Sequence, residues 1–249
     1  MKRSKGNKRI VIVVIAAVLA IVLLLAAAWV FTRPTYVFSV NGVKVEREEL
    51  IYAMGEHRYT VAAEIEEKYG ADSGDADFWD REFDGETANE MLRRTAAEAI
   101  VVDKVQLLTA KQHGIRVKLS YSLVETARQR ENEERAEGSG EIYYGPDELS
   151  YHTFYINYLM GIQEELKEKL RGTVIAVPAE ELQATYQEHK AEYVDDEGEQ
   201  LGYDEVKDLI YTILEDEYYD AYIQTLAAQA TVKYYDAYQA VTVMDSLDE

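Results

Sequence analysis

The chain contains no cysteine. Disulfides, thiolate metal sites, a cysteine nucleophile and a lipidated cysteine are therefore excluded. Only three prolines occur (Pro34, Pro146 and Pro178), and five phenylalanines stand against 20 tyrosines. Basic residues are scarce beside acidic ones, 26 against 47, for a formal net charge of −21. Five of the 26 lie in the first nine residues (Lys2, Arg3, Lys5, Lys8, Arg9), so the rest of the chain sets 21 basic against 47 acidic groups, a balance of −26. Such a balance argues against nucleic acid as a partner, which needs a basic surface, and against lying flat on anionic lipid. It favours solubility and repels acidic partners.

Motifs that carry chemistry are missing too. There is no Gly-rich phosphate loop, no Gly-x-Ser-x-Gly and no His-Glu-x-x-His. The four histidines (His57, His113, His152, His189) form no paired pattern and read as structural. The carboxylates Asp72, Asp75, Asp77, Asp80 and Asp84 fail the register of a calcium loop, which needs acidic ligands at fixed positions around a central glycine, and Asp195, Asp196, Glu197 and Glu199 do no better. Both stretches read as solvated loops, with weak calcium binding as the rival. No catalytic residue, metal or cofactor is expected.

What is present begins with a hydrophobic run. Residues 10–31 form 22 positions without charge, proline or glycine. As a helix this run is about 33 Å long, against roughly 30 Å of membrane hydrocarbon. It is the expected transmembrane signal anchor, with Trp29 at its outer interface. The basic tail 1–9 places the N-terminus in the cytoplasm and everything from residue 32 on the extracytoplasmic side of the cell membrane. The rival is a cleaved signal peptide ending near Ala26, Ala27 and Ala28, but the run exceeds the roughly 7–15 residues of a signal h-region.

After a linker at 32–35, Tyr36–Val40, Asn41-Gly42 and Val43–Val45 read as a β-hairpin. A helix follows from Arg47 to about Tyr69, stopped by Gly70. Ala71–Gly85 is expected to be a loop holding one hydrophobic pair, Phe78-Trp79. Thr87 and Glu90 make a capping box for a helix to His113, whose apolar stripe is read as Ala97, Val101, Val105 and Leu108. Further helices are expected at 120–136, 147–170, from Pro178 onward, and at 203–228. Thr231–Tyr235 alternates like a strand, and an acidic tail occupies 236–249. The predicted class is mainly α, with the transmembrane helix preceding a helical domain closed by the hairpin and the C-terminal strand.

The order of these motifs resembles the SurA/PrsA family of extracytoplasmic peptidyl-prolyl isomerase chaperones. Val40–Leu50 resembles the family's opening hairpin and first helix, and Thr87–Ile115 its long second helix. Val177–Tyr193 is similar to the helix that leads into the isomerase domain, and Leu201–Tyr235 to the returning helix and strand. The resemblance spans most of 36–235, as a SurA N-terminal-like domain. It departs from the family where a parvulin isomerase domain would stand, because only the loop from Val194 to about Gln200 joins the last two motifs. The resemblance implies a chaperone scaffold without the enzyme, binding unfolded or exported polypeptides in clefts between helices.

Tyrosine offers a large, fairly rigid amphipathic surface that interfaces favour. Tyr151, Tyr155 and Tyr158 follow helical spacing, as do Tyr218 and Tyr222. With Phe78 and Trp79 these are the candidate client-binding aromatics. The competing reading is that they pack helix to helix with their hydroxyls at the surface. Three functions therefore stand open: a membrane-anchored chaperone, a non-enzymatic cell-envelope scaffold for one folded partner, and a degenerate isomerase. Nothing in the sequence fixes an oligomeric state.

Overall fold

Asn41 and Gly42 both take positive φ, 48° and 85°. They reverse the chain between β1 (Tyr36–Val40) and β2 (Val43–Glu46), which pair antiparallel. This hairpin opens the computed structural model, which describes residues 35–137 and 146–247. The described residues from Tyr36 onward form one compact unit. β2 runs directly into α1 (Arg47–Tyr69), where Gly70 at φ 65° donates its N–H to the Glu66 carbonyl and ends the helix.

α2 (Ala88–Gln112) starts at a reciprocal cap. Thr87 Oγ1 accepts from the Glu90 N–H at 3.1 Å, and Glu90 Oε2 accepts from the Thr87 N–H at 2.8 Å. Next come α3 (Tyr121–Ala136), α4 (Tyr151–Leu170), α5 (Ala179–Glu188) and α6 (Tyr203–Ala228), then a final strand. A short hairpin of two-residue strands, β3 (Glu82–Phe83) and β4 (Glu86–Thr87), precedes α2, and the final strand is β5 (Val232–Tyr234). β5 pairs antiparallel with β1, giving a three-stranded sheet in the order β2-β1-β5.

One core joins these pieces. Val37, Phe38 and Val40 of β1 meet Leu50, Met54 and Ile65 of α1, Leu92, Ile100 and Leu107 of α2, Leu166 and Leu170 of α4, and Tyr219 and Ile223 of α6. A satellite core holds α5 against the first half of α6 through Tyr186, Val206, Ile210 and Leu214. α6 therefore belongs to both clusters, its second half central and its first half covered by α5.

The expected class needs a correction. The architecture is mainly helical with a small sheet, and among the described residues no helix is long and apolar enough to cross a membrane. α6, with 26 residues, is long enough at about 39 Å. It carries acidic side chains at Asp204, Glu205, Asp208, Glu215, Asp216, Glu217 and Asp220, which hydrocarbon does not accept. The run 10–31, where the membrane helix was expected, lies outside the described residues.

Three local readings also change. The 71–85 segment is not simply a loop, since it contains a 3₁₀ turn at Phe78–Asp80 and the β3–β4 hairpin, turned by Asp84 and Gly85 at positive φ. The helix expected from Asp147 starts at Tyr151, where Ser150 Oγ accepts from the Thr153 N–H. The stretch beyond Tyr235 is not a free tail over its described part. It forms 3₁₀ turns at Asp236–Tyr238 and Val243–Ser246, buries Tyr238, Val241 and Val243 in the main core, and pairs Asp245 with Arg47.

Candidate functional site

The first half of α4 lies on α1, α2 and the start of α3 through rings and polar groups, with Leu159 packed against the main core. Tyr151 stacks on Tyr121 of α3 at 4.3 Å between centroids and on Tyr155 at 5.6 Å. Tyr52 of α1 meets Tyr151 edge-on at 4.8 Å and Tyr155 at 5.8 Å. Edge and offset arrangements of this kind suit the ring quadrupoles. Three hydroxyls are engaged as well. Tyr155 donates to Asp103 Oδ2 of α2 at 2.9 Å, and Tyr158 accepts from the Lys118 N–H at 2.6 Å. His152 Nδ1 sits 2.6 Å from Glu56 and 3.2 Å from the Tyr52 hydroxyl.

Beneath the rings lies buried charge. Lys104 of α2 places its ammonium 2.6 Å from Glu49 Oε1 of α1 and donates to the Leu119 carbonyl at 2.7 Å. Both side chains are almost fully out of water. Glu49 Oε2 is buried without a hydrogen-bond partner. Burial raises the Glu49 carboxyl above its ordinary range, and the Lys104 ammonium offsets part of that rise. Glu46 at the end of β2 accepts from the Ser122 N–H and hydroxyl at 2.8 and 2.9 Å, tying α3 to the sheet. Burial also lifts the hydroxyls of Tyr52, Tyr151 and Tyr155 above the ordinary phenol range.

Asp103 is pushed up to about 6 from 3.8 by burial, against the lowering effects of the Tyr155 hydroxyl and Lys104. The folded state thus binds this proton more tightly than the unfolded chain. Its stabilising effect is complete below the ordinary carboxylate value, fades as pH rises to about 6, and is absent above. Asp103→Asn keeps an acceptor for Tyr155 and removes the charge. We expect urea unfolding to show it more stable than the unsubstituted chain by about 3 kcal/mol at pH 7.5 and nearly equal at pH 4.

The structure scatters the seven aromatics that the sequence singled out. Tyr151, Tyr155 and Tyr158 share this cluster. Phe78 is fully buried in the main core, and Trp79 meets it edge-on at 5.1 Å. Tyr218 of α6 donates to Glu181 of α5 at 2.6 Å, and Tyr222 is half-buried against the main core. Sequence reasoning missed Tyr52 and Tyr121, and with them Glu49, Asp103 and Lys104. One signal was available for Lys104: the spacing Ala97, Ile100, Lys104, Leu107 is a helical stripe, and all four are buried. The stripe read from sequence shares Ala97 and includes the buried Val105, but its other members, Val101 and Leu108, are only half-buried. A lysine on the better stripe marks a charge that needs a buried partner.

Apolar side chains are exposed elsewhere on the same helices. Ile156 and Met160, one turn apart on α4, are 39% and 58% exposed. Leu209 and Ile213, one turn apart on the first half of α6, are 54% and 42% exposed. They flank the α6 stripe of Val206, Ile210 and Leu214 that packs on α5. Compared with known proteins, the chain matches no family model, no curated protein and no solved structure at a significant level.

Proposed function

We propose that this protein is a non-enzymatic, chaperone-like binder of unfolded or exported polypeptides on the outer side of a membrane. The observation that carries the reading is the pair of exposed apolar ladders, Ile156 with Met160 and Leu209 with Ile213, on a chain of net charge −21. Residues one turn apart on a helix make a continuous apolar strip. Complete burial of such a side chain contributes about 1.5–3 kcal/mol. Two short strips, partly covered, hold a client weakly and release it, which suits transient protection. The acidic exterior limits self-association. The order of the sequence motifs supports the same reading. Placement at the membrane rests on the basic tail and the uncharged run 10–31.

The intact chain is expected to slow aggregation of a chemically unfolded model protein at near-stoichiometric amounts. Replacing Ile156, Met160, Leu209 and Ile213 together by serine should remove most of that protection and leave the thermal midpoint within a few degrees, because all four are exposed. Absence of protection across several clients, or full protection by the fourfold variant, would sink the proposal.

A second reading has its own support. The hydroxyls of Tyr155, Tyr158 and Tyr52 are held by Asp103, Lys118 and His152, as suits a fixed surface that binds one folded partner. Crosslinking in cells separates the two: one dominant partner marks a scaffold, and many unfolded exported chains mark a chaperone.

A further inference from the structure

The two exposed apolar strips, Ile156 with Met160 and Leu209 with Ile213, end at one acidic centre. One turn beyond Met160 on α4 stands Glu164, and three residues beyond Ile213 on α6 stands Asp216. Both carboxylates bond the same ammonium. Lys167 Nζ lies 2.6 Å from Glu164 Oε1 and 2.6 Å from Asp216 Oδ1. Two such bonds to one nitrogen hold the carboxylate oxygens within about 5 Å of each other. The Lys167 side chain is only 5% exposed, while those of Glu164 and Asp216 are 68% and 44% exposed. The cation is covered, and the carboxylates on either side of it stay open to water.

α4 and α6 pass this centre antiparallel. Burial, then the Asp220 and Glu164 carboxylates, raises the Tyr219 hydroxyl, which places Glu164 near Tyr219. Lys167 bonds Asp216, and Arg171, just past the end of α4, bonds Glu215 at 2.6 and 2.8 Å. Ascending positions on α4 thus meet descending positions on α6. Each apolar strip lies N-terminal to the centre on its own helix, so the strips lead away from it in opposite directions. Charge then selects what lies across them. Glu164, Glu215, Asp216 and Asp220 gather here against Lys167 and Arg171, and both cations are already bonded. Lys207 is the one basic residue of α6, against seven acidic ones. An acidic segment is repelled from the centre, whereas a lysine or arginine finds exposed carboxylate acceptors.

We propose that the strips on α4 and α6 form one docking surface for a basic polypeptide segment in which Lys or Arg stands between two apolar groups. One apolar group covers Ile156 and Met160, the other covers Leu209 and Ile213, and the cation between them meets Glu164 and Asp216. This selectivity rests on the chaperone-like function proposed above and names the class of segment it takes.

The test uses the intact chain and three blocked, fluorescently labelled peptides. Each has a leucine pair at either end and a serine on either side of a central pair, which is Lys-Lys, Gln-Gln or Glu-Glu. Fluorescence anisotropy is expected to show the Lys-Lys peptide binding about five- to tenfold more tightly than the Gln-Gln peptide, the return of two exposed ion pairs. The Glu-Glu peptide should bind weakest. Raising salt from about 0.05 to about 0.5 M should remove most of the lysine advantage. Glu164→Gln together with Asp220→Asn leaves Lys167 its bond to Asp216. This double variant should bind the Lys-Lys peptide nearly as weakly as the Gln-Gln peptide. Equal binding of those two peptides by the parent chain, an undiminished lysine advantage in the double variant, or no binding of any peptide would overturn the proposal. Protection of an aggregating client, lost in the fourfold serine variant, would still uphold the chaperone-like function in that case, so the two fail separately.

Discussion

Lys104→Met is expected to destabilise the folded chain by about 3–5 kcal/mol, the usual cost of leaving one member of a buried ion pair without its partner. Lys104 and Glu49 are both nearly inaccessible to water, with 2.6 Å between ammonium and carboxylate. Removing the lysine leaves Glu49 with neither Oε1 nor Oε2 paired, and it strands the Leu119 carbonyl. Methionine fills much of the lysine's volume, so the loss is electrostatic rather than a cavity effect. The deficit should depend on pH in a defined direction. Burial already raises the Glu49 carboxyl, and Lys104 is what lowers it, so without the lysine the folded state holds the Glu49 proton more tightly still. A carboxyl raised in the folded state loses its stabilising effect as pH rises, so the variant should be weaker at pH 8 than at pH 5. The double variant Glu49→Leu with Lys104→Met should recover most of the loss, because an apolar pair of similar volume needs no desolvation of charge. Urea unfolding of the two single variants and the double gives the coupling directly. A single variant within about 1 kcal/mol of the parent would show that the pair is not buried as described.

Arg93→Met should release the C-terminal segment. The Arg93 guanidinium is buried and donates to the Gln239 and Val241 carbonyls at 3.0 and 2.7 Å and to Gln239 Oε1 at 3.0 Å. It also lies over the Tyr238 ring, 5.4 Å from the centroid. Hydrogen bonds from a charged donor contribute about 1.5–3 kcal/mol each, and a buried carbonyl left without one adds its own desolvation cost. We expect a loss of about 3 kcal/mol, with 3₁₀ turns 236–238 and 243–246 detaching before the rest of the domain. Limited proteolysis followed by mass measurement should show early cleavage after Tyr235 in the variant and none in the parent. If both resist cleavage equally, Arg93 is not the clamp.

These two sites show why the sequence was legible in some places and not in others. The Asn41-Gly42 turn, the Thr87–Glu90 cap and the Gly70 stop each depend on atoms within about four residues, and all three were readable from the chain alone. Helix lengths were readable too, since apolar periodicity and terminators act locally: α1 and α6 fall where the pattern placed them. The stripe on α2 was read in part: Ala97 and Val105 are buried, Val101 and Leu108 only half-buried. Its buried face contains Lys104, and a lysine counts as outward-facing until its partner on α1 is known.

The candidate site was legible only in part, for the same reason. Tyr151, Tyr155 and Tyr158 stood out by spacing, but their partners Tyr52, Tyr121, Asp103 and Lys118 lie elsewhere in the chain, 30 to 103 residues away in sequence. Phe78 and Trp79 looked like a hydrophobic pair stranded in an acidic loop. The β3–β4 hairpin and the top of α2 turn that loop inward and bury the phenylalanine.

By itself the amino-acid sequence determined the scarcity of basic charge, the absence of thiol chemistry, the turns and caps, and the extent of most helices, because composition and short-range geometry settle all of these. Only the tertiary structure decided which charges are buried, which tyrosines pack and which apolar residues remain exposed. It also decided that the segment after Tyr235 folds back onto α1 and α2. Burial is a property of pairs of surfaces, and the partners that create it are brought together by the fold from distant parts of the chain.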